Sequence, residues 1–313
     1  MIEELKHNGF DHKLYNSKLN YPQCPCGNCP RTFFNLLSVA PRMTGKSYGM
    51  VKLLKHYEEN KLTDINGIIH PMRVILISPT VSANPIYKSL NTLNENDIHE
   101  LYSEDLLQDI LDNIKSEREA TDYFKQYKEA FKIIEKTSEE KLHKLYDTHP
   151  EVFEILEKED YKMPNEIEQP KYYEYPVVFI VLDDLMCSSA FNNKQQSRLT
   201  NALIKNRHLG VIFCILVQSM KAVTKSMRLN CSVFYLGKFS NKKVILEDLY
   251  EEVGNVLTPE EFIEIYEKAT GEQYGSLIID CSGKSKRFFG GYGNELFISS
   301  AGNPPHERQN NHS

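Results

Sequence analysis

Phe33-Phe34-Asn35-Leu36-Leu37-Ser38-Val39-Ala40-Pro41-Arg42-Met43-Thr44-Gly45-Lys46-Ser47 is an apolar run that breaks into a glycine-lysine-serine turn. The run Phe33–Val39 has the length of a buried strand. Beyond the turn, Tyr48–Asn60 sets Met50, Val51, Leu53, Leu54 and Tyr57 at helical spacing. In a strand–loop–helix of this kind, successive backbone N–H groups at the helix N-terminus point at phosphate oxygens. Lys46 is placed to neutralise the β- and γ-phosphates, Ser47 to ligate Mg²⁺, and Gly45 to let the backbone come close. Arg42, Met43, Thr44 and Tyr48 complete the expected nucleotide-binding set, with ATP and Mg²⁺ as the cofactors. The pattern's first glycine is Ala40 here, so the chain must approach the loop in a conformation that a Cβ tolerates.

Two further apolar runs end on polar residues. Val177-Val-Phe-Ile-Val-Leu-Asp183-Asp184 places one carboxylate near the metal of a bound nucleotide and a second where it can polarise an attacking water. We assign Asp183 to the metal, together with Ser47, and Asp184 to the water. Many ATPases carry Glu at that second position. A strand ending in two acids is weak by itself and strong when a P-loop precedes it. Val211-Ile-Phe-Cys-Ile-Leu-Val-Gln218 ends on an amide that can donate one hydrogen bond and accept another, as a sensor of the γ-phosphate would. An ordinary exposed strand end is the plainer reading of Gln218. Arg207 and Arg228 flank this strand. Either arginine is a candidate to reach a neighbouring subunit's phosphate, and either would serve equally as a surface ion-pair partner. His208 reads as structural.

Strands alternate with helices over most of the 313 residues, and the strands are nearly continuous in apolar character. This calls for an α/β fold with a mostly parallel central sheet flanked by helices. Further strands are expected at Arg73–Ser78 and Ser276–Asp280, and helices at Gln195–Lys205, from Val244, and over Pro259–Ala269. From about Asn94 to Tyr172 charged residues alternate with Leu, Ile, Phe and Tyr at three-to-four spacing. This reads as a helical insertion with solvated charged faces, packed on the edge of the core. The expected organisation is a polar segment over 1–30, an ATPase domain over 31–302 interrupted by the insertion at 95–172, and a disordered tail over 303–313.

The net charge of −6 argues against a protein that simply coats nucleic acid. A motor needs positive charge only along one channel. Lys284-Ser285-Lys286-Arg287 and Lys238…Lys242-Lys243 are short basic clusters able to meet a DNA backbone, with solvated loops as the default. The first residues lack the apolar centre of a secretory signal, and the apolar runs are too short to span a bilayer. The chain is therefore expected to be soluble, and its seven cysteines to be reduced. Cys24-Pro25-Cys26-Gly27-Asn28-Cys29 brings three thiols within six residues. Zinc wants a fourth ligand, which only His7 or His12 offers nearby, so unbound thiols are the reading taken.

The order of P-loop strand, strand ending in Pro79-Thr80, Asp-Asp strand, Arg207-His208 and strand ending in Gln218 resembles the FtsK–HerA group of P-loop motors. It is most similar to the poxvirus-type genome-packaging ATPases of large eukaryotic DNA viruses. The matching stretches are Phe33–Met50, Arg73–Tyr87, Val177–Leu185 and, most specific, Leu203–Asn230. The resemblance implies a RecA/FtsK-like ATPase that forms a homo-oligomeric ring and drives double-stranded DNA into a preformed capsid. A capsid or capsid-vertex protein is then a partner, and the host cytoplasm, viral factory or virion the place. By the same likeness Lys46, Asp183, Asp184 and Gln218 carry the chemistry, with Arg228 the preferred trans-acting arginine and Arg207 second. Ala40 and the long insertion depart from the pattern.

Two other classes compete. A GTPase needs a guanine-reading Asn-Lys-x-Asp motif, and the near match Asn241-Lys242-Lys243-Val244 lacks the Asp. A nucleotide kinase normally carries an arginine-rich lid, whereas the insertion is acidic and lysine-rich. A non-catalytic scaffold with a worn P-loop is the third reading, with Ala40 its only visible damage.

Overall fold

The computed structural model describes residues 21–24, 29–185, 189–191, 197–254, 256–283 and 285–298. His7, His12, Cys26, Lys284 and the 303–313 tail lie outside them. In chain order the elements are β1 (Asn35–Val39), α1 (Lys46–Glu59), β2 (Leu62–Thr63), β3 (Ile69–His70), β4 (Met72–Ile77) and β5 (Leu93–His99). Then come α2 (Glu104–Lys136), α3 (Glu139–Thr148), α4 (Pro150–Glu157), β6 (Val177–Asp183), α5 (Arg198–Leu209) and β7 (Val211–Val217). The chain continues with α6 (Lys225–Leu229), β8 (Val233–Gly237), the short α7 (Lys242–Val244), a wide helical turn over Ile245–Gly254, and α8 (Pro259–Thr270). Strands β9 (Ser276–Asp280), β10 (Arg287–Gly290) and β11 (Glu295–Leu296) close it.

Nine strands form one sheet in the order β11-β10-β9-β8-β1-β7-β6-β4-β5. From β8 to β5 every pairing is parallel. Strands β9, β10 and β11 add on antiparallel at the other edge. The sheet is thus mostly parallel, as the apolar runs require, with an antiparallel extension that the alternation of strands and helices does not reveal. The P-loop strand β1 lies inside the sheet, with Leu37 opposite Ile215 of β7 and Phe234 of β8.

The two-residue period of a strand sorts the core onto two faces. Leu37, Val39, Ile180, Leu182, Phe213 and Ile215 face α5, α8 and the Ile245–Gly254 turn. Leu36, Phe179, Val181, Ile212 and Cys214 face α1, whose Met50, Leu53, Leu54 and Tyr57 form the stripe expected from the sequence.

The stretch that reads as helical from Asn94 begins instead with β5, which pairs with β4 at the sheet edge. Alternation of charge masks a strand here, because only Asp97 of its middle residues is buried, paired with Arg73. Helix α2 then runs for 33 residues. Its first half, with Leu107, Ile110, Leu111 and Ile114, packs into the main core. Its second half, with Phe124, Tyr127 and Ala130, makes a small core of its own with Val152 and Leu156 of α4. No described helix is long and apolar enough to cross a membrane.

Candidate nucleotide site

At the C-terminal end of β1, Ala40 continues the strand, its N–H donating to the Val217 carbonyl at 3.1 Å. Positive φ is taken up later, at Met43 (61°) and Gly45 (90°). Ala40 is fully buried, and it fits because its neighbour on β8 is Gly237. A Cβ on Gly237 would come within 2.5 Å of the Ala40 methyl. The methyl group missing from one strand makes room for the methyl added to the other.

Gly45 is the N-cap of α1 and has no side-chain cap, so the first-turn N–H groups open toward solvent and toward any anion placed there. It must be glycine for two reasons. Its φ is left-handed, and a Cβ would lie 2.9 Å from Tyr274 Cδ1. Thr44 turns inward, its hydroxyl donating to the Pro41 carbonyl at 2.8 Å. Arg42 and Met43 stand exposed on the crown of the loop.

The expected chemical residues meet in one cleft of about 590 Å³, lined by Lys46, Ser47, Asp183, Asp184 and Gln218, with Arg42, Met43, Gly45 and Tyr48 on the loop side. Ser47 Oγ donates to Asp183 Oδ2 at 2.8 Å. Lys46 Nζ is 3.8 Å from Asp183 Oδ1. That oxygen is buried with no hydrogen-bond partner among the described residues. A buried carboxylate oxygen left without a donor, beside a serine hydroxyl, is the arrangement a hard divalent cation completes. Ser47 and Asp183 therefore fit Mg²⁺. Asp184 has φ 58°, a left-handed conformation that Asp adopts far more readily than Glu. The backbone at the end of β6 thus accounts for the shorter acid at this position. Gln218 Nε2 donates to Asp184 Oδ1 at 3.0 Å, linking the candidate sensor to the candidate base.

Two tyrosines belong to this site without any signal in the motifs. Tyr87 is buried and donates to Asp183 Oδ2 at 2.7 Å. Burial first, and the Asp183 charge second, hold its phenol pKa well above 10.0, so it remains a donor. Tyr274, half-exposed with φ 62°, packs over Gly45 with its ring 6.0 Å from that of Tyr48. The only hint in the sequence is its place in the glycine-flanked turn Gly271-Glu272-Gln273-Tyr274-Gly275. A separate cavity of about 650 Å³ flanks α1 and shares only Tyr48 and Ile86 with the cleft.

The arginines are elsewhere. Arg228, on α6, pairs with Glu252 at 3.1 Å and donates to the Val223 carbonyl at 2.6 Å. Arg207 is exposed in the last turn of α5, and neither lines the cleft. The exposed His208 gives its carbonyl to Arg118. Asn206 and Asn230 serve the opposite end of β1. Asn206 Nδ2 donates to the Phe33 carbonyl at 2.6 Å. Asn35 Nδ2 donates to the carbonyls of Leu203 at 2.9 Å and Asn230 at 2.8 Å. Of the basic clusters, Lys286 donates to the Val253 carbonyl and Arg287 pairs with Asp280. Asn241 spends its side-chain oxygen on the Lys243 N–H, a helix cap and not a base-reading contact.

No family profile and no curated protein sequence matches the chain. Among solved structures, the genome packaging NTPase B204 of Sulfolobus turreted icosahedral virus 2 in complex with AMP is similar at 11% identity. Its TM-score is 0.44, and the match covers 82% of this chain and 96% of that one. EssC (ATPases 2 and 3) from Geobacillus thermodenitrificans matches at 14% identity and a TM-score of 0.38, over 69% of this chain and 34% of that one. The pCW3 conjugation coupling protein TcpA, in its monomer form with ATPgS, matches at 12% and 0.35, over 82% and 60%. At this level of likeness the reading of the site rests on its own geometry.

Proposed function

We propose that this chain is an ATP-hydrolysing motor that translocates viral double-stranded DNA into a preformed capsid. The observation that carries the enzymatic part is the meeting of Lys46, Ser47, Asp183, Asp184 and Gln218 around one cleft at an uncapped helix N-terminus. In this reading the α1 amides and Lys46 hold the phosphates, and Ser47 and Asp183 hold Mg²⁺. Bound there, the metal neutralises charge on the β- and γ-phosphate oxygens. Asp184 orients and polarises the attacking water while Gln218 holds its carboxylate in place. Tyr48 and Tyr274 offer the base and ribose a flat apolar flank.

The DNA-packaging part rests on the likeness of residues 203–230 to the packaging ATPases. It brings with it a homo-oligomeric ring, a capsid-vertex partner and a life in the host cytoplasm or viral factory. Arg228 is the proposed trans-acting arginine, with Arg207 second. Since Arg228 now holds Glu252, ring assembly would have to exchange that carboxylate for a phosphate. The 95–172 insertion is proposed as an accessory unit on the ATPase domain.

The decisive measurement is ATP turnover with and without duplex DNA, with the oligomer mass taken alongside. Stimulation by DNA together with nucleotide-dependent rings is expected. An unchanged rate from a protein that stays monomeric with nucleotide would end the motor reading.

A further inference from the structure

The segment before β1 does more than lead into it. Gln23 pairs with Thr63, just past the end of α1, through two backbone hydrogen bonds of 2.9 and 3.0 Å. Its side-chain oxygen accepts from the Thr32 N–H at 3.1 Å. The described residues on either side of 25–28 are therefore anchored, and Cys29 stands beside His56 and Glu59 of the C-terminal part of α1. There Cys24 Sγ and Cys29 Sγ stand 3.1 Å apart. A ring nitrogen of His56, in the last turn of α1, joins them so that all three donor atoms fall within 4.8 Å of one another. All three residues are half-buried.

We propose that Cys24, Cys29 and His56 bind a zinc ion that fastens the N-terminal turn to the P-loop helix. Two thiolates and an imidazole are the soft and borderline donors that zinc selects. The spacing of Cys24 and Cys29 lies within the range of structural zinc sites. The sulfurs are too far apart for a disulfide, whose bond is about 2.05 Å. In a zinc tetrahedron with Zn–S of about 2.3 Å they would stand about 3.8 Å apart, so the pair need open by less than an ångström. The tetrahedron keeps one position for a ligand beyond these three. A second observation agrees. Tyr57, next to His56, is buried with both thiols as its neighbours, and its hydroxyl is within hydrogen-bond reach of Cys29. A metal-held thiolate is a better acceptor for that hydroxyl than a protonated thiol.

The proposal departs from the expectation of unbound thiols. The sequence offers His7 and His12 as helpers because they are close along the chain, whereas the fold supplies His56 from across the turn. The role is structural. The metal would fix the far end of the helix whose first residues are Lys46 and Ser47, about three turns away.

The test uses the full chain purified without chelator, with metal content measured by mass spectrometry of the elements and of the intact native protein. About one zinc per chain is expected. Cys29→Ser and His56→Ala should each lose most of it, while Cys281→Ser, just past the end of β9 and outside the three-ligand cluster, should leave it unchanged. To keep the test independent of how the ligand variants fold, Co²⁺ is also added to metal-free wild-type protein. It should give the intense visible bands and thiolate charge transfer of a tetrahedral sulfur site. Wild-type protein that stays zinc-free after incubation with zinc chloride and desalting overturns the proposal. So does a Cys24–Cys29 disulfide in the intact mass, a pale octahedral cobalt spectrum, or a Cys281→Ser variant that loses as much zinc as Cys29→Ser.

Discussion

The two ends of β1 use the same kinds of residue to opposite effect. At the N-terminal end, Asn35 and Asn206 spend their amide donors on backbone carbonyls, that of Phe33 among them, although Asn35 Oδ1 lacks a partner among the described residues. At the C-terminal end, the first amides of α1 lack a side-chain cap and one oxygen of Asp183 lacks a donor. Donors spent on backbone carbonyls tie elements of the fold together, whereas helix amides and a carboxylate that open on a cleft are placed to meet a ligand. The contrast divides the stretch Leu203–Asn230. Gln218 goes to the cleft, and Asn206 and Asn230 go to the clasp.

Breaking the cleft end should affect activity alone. Lys46→Ala is expected to lower kcat by about 10²–10³-fold, with the urea midpoint unmoved, because it removes a charge aimed at the phosphates and no core packing. Breaking the clasp should do the reverse. Asn35→Ala leaves two carbonyls without their donor and should cost about 2–3 kcal/mol in urea unfolding, with KM for ATP unchanged in the folded protein. The junction of strand and loop gives a smaller and more specific effect. Gly237→Ala should destabilise by about 1–2 kcal/mol, and most of that loss should vanish in the Ala40→Gly background. Additive losses in the double variant would mean that the two positions do not share one space. The smallest effect is expected from Tyr274→Ala, which should raise KM for ATP about five-fold with little change in kcat, as loss of one stacking surface does.

Much of this was legible in the sequence, for a physical reason. β1, β6 and β7 are buried on both faces, so their composition is nearly continuous in apolar residues, and the residues that end them stand at the sheet's working edge. Lys46, Ser47, Asp183, Asp184 and Gln218 follow from that rule and meet in space. β5 was hidden because an edge strand with one buried residue in its charged middle looks like a solvated helix face. Tyr87 and Tyr274 were hidden because their roles come from long-range contacts, with Asp183 and with Gly45, that no local spacing encodes. Asp184 looked like a weakened base until its φ gave a backbone reason for the shorter side chain. The arginines were the reverse case. Their place beside β7 marked them as candidates to reach a neighbouring subunit, and within the single chain Arg228 pairs with Glu252.

The fit of Ala40 against Gly237 bears on how such loops are recognised at all. The space that a P-loop glycine leaves empty belongs to the crossing of two neighbouring strands, not to one position of the chain. Here the space for the Ala40 methyl is opened by Gly237 on the strand next door, almost two hundred residues away in sequence. A search string that demands glycine before the loop would pass over this chain. A rule that allows only one methyl group at that crossing would include it.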